Sequence, residues 1–163
     1  MNKIIVDGYN VIFTIPALHG LVEQSLEEAR DRLLRSIQSY LIRRRVQITV
    51  IFDGTQPEFS GPQPRFSSRL TVLFSRSPFK ADPMIKELIR REGRSNASSV
   101  VTLDNDILQF ARNHGIASLS PQEFFDRISI RPESQQLSEK HDPKIDDDEL
   151  NDWLRLFNES GDD

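Results

Sequence analysis

Lys3-Ile4-Ile5-Val6-Asp7-Gly8-Tyr9-Asn10 is a short apolar run that stops on an acid and a glycine. A run this short, ended by a turn pair, reads as a buried strand. The same grammar returns twice. Ile48-Thr49-Val50-Ile51-Phe52 closes on Asp53-Gly54, and Val100-Val101-Thr102-Leu103 closes on Asp104. Strands of this kind, separated by helical stretches, predict an α/β fold with a mostly parallel central sheet flanked by helices.

The intervening segments carry helix signals. Ser25 with Glu28 three residues on is a capping box. Leu26, Ala29, Leu33, Ile37, Tyr40 and Leu41 then recur at helical spacing. Acids lie early in this helix and Arg43, Arg44 and Arg45 at its end, as the helix dipole favours. Residues 46–52 are the second strand and Leu70–Phe74 a third. A helix is predicted from Pro83 to about Arg91, a strand over Ser99–Leu103, and a helix from Asp104 to about Asn113. His114-Gly115 ends that helix. Ile116–Leu119 is a short fifth strand, and Pro121–Ile128 is another turn or two of helix.

In an open α/β sheet, loops at the carboxyl ends of the strands converge on one crevice. Asp7, Asp53 and Asp104 all end strands, and Asp82 opens a helix. Three carboxylates gathered there would repel unless a cation joined them. Hard divalent ions such as Mg²⁺ or Mn²⁺ take carboxylate oxygens, and they can activate a water and stabilise a leaving oxygen in phosphate chemistry. Each acid also has an ordinary local explanation. Asp7-Gly8 and Asp53-Gly54 are turn pairs, Asp82-Pro83 suits an N-cap with proline at the first helical position, and Asp104 can cap the helix after it. Asn10 is a candidate to bind a phosphate oxygen or to hold Asp7. Thr102 is either a partner of a neighbouring carboxylate or a plain β-branched strand residue. Asp106 is a further acid or an exposed first-turn residue.

Other phosphate machinery is missing. The sequence has no GxxxxGK[ST] loop and no GxGxxG turn. Tyr9 stands where a haloacid-type phosphatase needs its second aspartate. Gly8 and Ser120 stand where a phosphotransfer receiver needs an acid and a lysine. His19, His114 and His141 show no zinc spacing.

The 163 residues suffice for one domain with a real core. With 37% hydrophobic and 28% charged residues, and no apolar run near the roughly 20 residues of a membrane helix, the sequence reads as soluble. Met1-Asn2-Lys3 is not a signal peptide, and the absence of cysteine fits a cytoplasmic protein. The net charge of −4 is uneven, because residues 141–163 hold nine acids and two bases. A mildly basic body with an acidic tail can meet a polyanion on one face.

Asp7-Gly8-Tyr9-Asn10-Val11-Ile12, Phe52-Asp53-Gly54, Ala81-Asp82 with Ile85, and Val101-Thr102-Leu103-Asp104 together resemble the motifs of the NYN-domain family, in its bacterial YacP-like branch. The ending Glu149-Leu150-Asn151-Asp152-Trp153-Leu154-Arg155-Leu156-Phe157 is similar to that branch as well. The resemblance implies a PIN-like nuclease fold and Mg²⁺- or Mn²⁺-dependent endoribonuclease activity, in RNA processing or decay. It implies Asp7, Asp53, Asp82 and Asp104 as the catalytic, metal-holding acids, with Asn10 beside them. Leu103 departs from the family, which usually has serine there. The alternative is a non-catalytic RNA-binding module acting on a ribonucleoprotein such as the ribosome.

Residues 54–80 place Arg65, Arg69, Arg76 and Lys80 among Phe59, Phe66, Phe74 and Phe79, against one acid, Glu58. Cations track a phosphate backbone and phenylalanines stack on unpaired bases, so these four basic residues are the expected RNA contacts. The domain is expected over residues 1–130 and a polar linker over 131–145. A C-terminal helix with an acidic tail is expected over 146–163, docked through Leu150, Trp153, Leu154 and Phe157.

Overall fold

The computed structural model describes residues 1–54, 68–75 and 80–130. Five strands, β1 (Asn2–Asp7), β2 (Val46–Phe52), β3 (Leu70–Phe74), β4 (Ser98–Val101) and β5 (Ala117–Leu119), form one sheet in the order β3-β2-β1-β4-β5. Every pairing is parallel. The chain builds outward from β1 on one side and then on the other. The direction changes between β1 and β4, which creates the crevice that ligands use in such sheets.

Alternation along the strands sorts the core onto two faces. Ile4, Val6, Ile48, Val50, Phe52 and Val101 face one side. Helices α1 (Gly8–Thr14), α2 (Pro16–Val22), α3 (Leu26–Arg43) and α6 (Pro121–Ser129) supply the partners there. Ile5, Ile51 and Val100 face the other side, against α4 (Ala81–Glu92) and α5 (Asn105–Asn113). The expected α/β architecture is therefore present, with helices on both faces of a parallel sheet.

Two elements depart from the sequence reading. Asp7-Gly8 is no turn pair, because Gly8 begins α1 directly after β1. Val11, Ile12, Ile15 and Leu18 are buried at helical spacing, but Pro16 divides the run. Ile15 is extended, as a residue before proline prefers, so the stretch forms two helices of seven residues that the sequence reading left unassigned. Helix α4 begins at Ala81 with Lys80 at the N-cap, and Asp82 makes no cap. Pro83 is tolerated because the first-turn N–H groups lack intrahelical partners anyway.

The expected cap at Ser25 is present, its hydroxyl accepting from the Glu28 N–H. Asp53-Gly54 ends β2 in a bend, with Gly54 at φ +109°, and the residues that would complete the expected turn lie outside the described ones. Among the described residues no helix is long and apolar enough to cross a membrane. The linker expected at 131–145 and the helix expected at 146–163 lie outside the described residues, as do most of residues 54–80.

Candidate functional site

Asp7 ends β1, and Thr102 follows β4 on the neighbouring strand. Thr102 is almost wholly buried, at 1% exposure, and its hydroxyl works in both directions. It donates to Asp7 Oδ2 at 3.1 Å and accepts the Asp104 N–H at 3.0 Å. The partner-of-a-carboxylate role is thus the one it fills. Asp104 Oδ1 accepts from the N–H groups of Asp106 (2.9 Å) and Ile107 (3.2 Å), capping α5. Its other oxygen takes no part in the cap. Asn10 reaches across from α1, where its Oδ1 accepts the Leu103 N–H at 2.8 Å. Its backbone N–H donates to the Asp7 carboxylate. Asn10 therefore holds Asp7 and fixes the loop that carries Asp104. Leu103 itself is exposed, so the polar contact near Asp7 comes from Thr102.

Burial pushes the Asp7 carboxyl up to about 6. The hydrogen bonds from Thr102 and Asn10 pull it down, while the charges of Asp104 and Asp82 push it further up. Asp7, Asp82 and Asp104 thus share one electrostatic neighbourhood. Asp82, the second residue of α4, also has its carboxyl raised, chiefly by burial. Its Oδ1 atom is buried and has no hydrogen-bond partner among the described residues. Lys86 Nζ lies 3.5 Å away, within ion-pair range but long for a strong hydrogen bond.

Asp53 stands one strand further along and is exposed. Ser75, fully buried just past β3, donates to Asp53 Oδ1 at 3.2 Å and accepts the Gly54 N–H at 3.1 Å. The Ser75 N–H in turn binds the Phe52 carbonyl at 3.0 Å. Sequence reasoning missed Ser75. The signal was the parallel register, since Phe52 pairs with Phe74 and so Asp53 falls beside Ser75.

It also missed Lys86, which is four residues after Asp82 and so on the same helix face. Lys86 pairs with Asp106 of α5 as well. That hydrogen bond raises the lysine's affinity for its proton and lowers that of Asp106.

Of the expected RNA contacts, Lys80 is exposed at the start of α4, beside Ala81 and Asp82. Arg69 is not brought to this end. It precedes β3, at the amino edge of the sheet, and its guanidinium donates to the Arg44 carbonyl at 2.7 Å. Arg65 and Arg76 lie outside the described residues.

The donors suit a hard divalent cation. They are carboxylate oxygens, one of them buried without a hydrogen bond, and their mutual repulsion would be relieved by positive charge. Among the described residues, however, no three of these side chains already converge as a ligand set. The carboxylates would have to draw together around an ion.

The five-stranded parallel sheet with acids at its carboxyl edge, taken with the family and structural matches that follow, is a PIN-like nuclease fold. The family model for the YacP-like NYN domain matches residues 4–157. The chain belongs to that family, and the membership supports an RNA-related nuclease function in general terms. It is 32% identical over 88 residues to the Bacillus subtilis protein YacP, a match covering 54% of this chain and about half, 51%, of that protein. The crystal structure of Rae1 (YacP) from Bacillus subtilis is similar with a TM-score of 0.66 and 25% identity, over 98% of this chain and 90% of that one. The W164L mutant of the same protein gives a TM-score of 0.64 at 25% identity, over 92% and 91%.

Proposed function

We propose that this protein is a Mg²⁺- or Mn²⁺-dependent endoribonuclease acting on cytoplasmic RNA. The observation that carries the reading is the buried Thr102 hydroxyl that ties Asp7 and the Asp104 backbone together at the β1–β4 crevice, with Asp82 near enough to raise the Asp7 carboxyl. Asp7, Asp82 and the second oxygen of Asp104 would hold the ion, with Asp53 at the edge. The ion would supply Lewis-acid stabilisation of charge on the phosphate.

The chain's own residues do the rest. Thr102 and Asn10 orient Asp7, and Ser75 orients Asp53. Asp53 is exposed and held at one oxygen, which supports a role in taking a proton from an attacking water. Lys80, exposed at the N-cap of α4 two residues before Asp82, would meet a phosphate of the RNA strand.

The test is cleavage of end-labelled single-stranded and structured RNA with Mn²⁺, with EDTA, and with Asp7→Asn and Asp53→Asn. Internal cuts should require the metal and fall to background in both variants while the melting curve survives. Cleavage by Asp53→Asn at the wild-type rate would overturn the assignment. RNA binding with no cleavage under any of these conditions would favour the non-catalytic module.

A further inference from the structure

The cation set against the acidic crevice is a lysine that the motifs do not include. Lys86 Nζ lies 3.5 Å from Asp82 Oδ1 and donates to Asp106 Oδ2. Its ammonium sits over the Phe110 ring, 5.6 Å from the centroid. The side chain is 24% exposed, whereas Asp106 is 68% exposed. Lys86 is therefore gripped between α4 and α5, with one acid on the crevice side and one towards solvent. The crevice-side oxygen, Asp82 Oδ1, is the buried atom with no hydrogen bond among the described residues. Among the described residues, the charge that offsets it is the Lys86 ammonium at ion-pair distance.

We propose that Lys86 is a resident counter-ion that competes with the divalent cation for Asp82, and that Asp106 sets the affinity by sharing the lysine. This rests on the metal-dependent reading above. An ammonium is a compact point charge on a flexible stem, so Lys86 can leave Asp82 and rest on Asp106 without losing its partner. The pair acts as a balance. With the lysine on Asp82, the crevice is partly neutralised and the acids do not converge. With the lysine on Asp106, Asp82 is free to turn to an ion shared with Asp7 and Asp104. Lys86 is on this reading a positioning residue, acting through Asp82.

Two substitutions in one ion pair should then move metal affinity in opposite directions. Lys86→Met keeps the stem over Phe110 and removes the charge, so Mn²⁺ should bind about tenfold tighter, the low end of what outer-shell partners produce. Asp106→Asn leaves the lysine to Asp82 alone, so Mn²⁺ should bind several-fold weaker. Lys86→Arg, which keeps the charge, should stay closer to wild type than Lys86→Met. Calorimetric titration of Mn²⁺ into each purified protein reads this without any RNA, and Lys86→Gln replaces Lys86→Met if the latter fails to fold.

A lysine that merely fastened α4 to α5 would shift both variants the same way or neither, and that result overturns the proposal. Wild-type protein that binds Mn²⁺ normally while Lys86→Met is unchanged sinks this inference alone. Wild-type protein that binds no Mn²⁺ sinks the metal-dependent reading and this inference with it.

Discussion

Thr102 Oγ1 donates to Asp7 Oδ2 at 3.1 Å, joining the ends of β4 and β1 across 95 positions of sequence. The same oxygen accepts the Asp104 N–H, so one buried hydroxyl sets the spacing of two acids. A hydrogen bond to a charged partner contributes about 1.5–3 kcal/mol, and a buried donor left without a partner is a further cost. Thr102→Val keeps the shape and loses both contacts. It should lose about 2–3 kcal/mol near pH 8, where Asp7 is ionised, and less near pH 5. RNA cleavage should fall about 10–100-fold, while Thr102→Ser keeps most of both. Urea denaturation at the two pH values checks it, and an equal loss at both would mean that the hydroxyl does not serve the carboxylate.

The Asp7 carboxyl, raised by burial from 3.8 to about 6, makes the metal-free fold sensitive to pH. The folded state holds this proton more tightly than the unfolded chain does, so protonation stabilises the fold. That contribution is full below about pH 4 and is lost as pH rises through about 6. A displacement of this size corresponds to about 3 kcal/mol at most. In EDTA, the difference in unfolding free energy between Asp7→Asn and wild type should therefore grow in favour of the variant as pH rises from about 4 to 7. A flat difference curve would contradict the crowded environment seen for Asp7. Because a carboxylate must lose its proton to bind a cation, Mn²⁺ binding should also weaken below about pH 6 and release protons there.

Much of this was legible because strand signals are local. Apolar runs that end on Asp7, Asp53 and Asp104 locate the carboxyl edge of the sheet, and the Ser25–Glu28 capping box locates the start of α3. What escaped depends on placement across the sheet. Ser75 has no motif of its own and gains its role only when β2 and β3 pair. Lys86 meets Asp106 only when α4 and α5 pack side by side, 20 positions apart. Arg69 looked like its neighbours in a basic, aromatic segment, yet the direction of β3 carries it to the far edge of the sheet. The N-cap that Asp82-Pro83 suggested as the ordinary role of Asp82 is absent, because the helix starts two residues before Pro83, at Ala81, and the Asp82 carboxylate lies by Lys86 instead.

Ser75 offers a separate test of Asp53. Its hydroxyl is fully buried and ties the Asp53 carboxylate to the Gly54 N–H. Ser75→Ala should cost about 1–2 kcal/mol, since both groups lose a partner but Asp53 can turn to water. Cleavage should drop about tenfold or more through a mobile Asp53, with Mn²⁺ affinity less affected than in Asp7→Asn. Stability and cleavage both at wild-type levels would show that the Ser75 contact is incidental.

Gly8 and Gly20 both lie in short helices, and the same substitution should move them in opposite directions. A Cβ on Gly8 would stand 2.4 Å from Phe52 Cε1, 2.5 Å from Phe52 Cδ1 and 3.1 Å from the Ile51 carbonyl oxygen. Phe52 has little room to yield, being fully buried between Tyr9, with centroids 5.1 Å apart, and Phe74, stacked at 5.4 Å. Alanine is favoured over glycine inside a helix by about 0.5–1 kcal/mol, but overpacking a filled core costs about 1–3 kcal/mol. The second effect wins at Gly8, because one obstacle is backbone and the other a clamped ring. Gly8→Ala should lower the melting temperature by about 2–6 °C. It should also reduce cleavage, because α1 carries Asn10 and its grip on the loop before Asp104. A Cβ on Gly20 meets nothing within 4 Å, and that glycine does not have a positive φ. Only the propensity term remains there, so Gly20→Ala should raise stability by about 0.5–1 kcal/mol and leave cleavage unchanged. Thermal melts of the two variants side by side decide the matter, and a Gly8→Ala protein as stable as Gly20→Ala would mean that Phe52 is not clamped in the core.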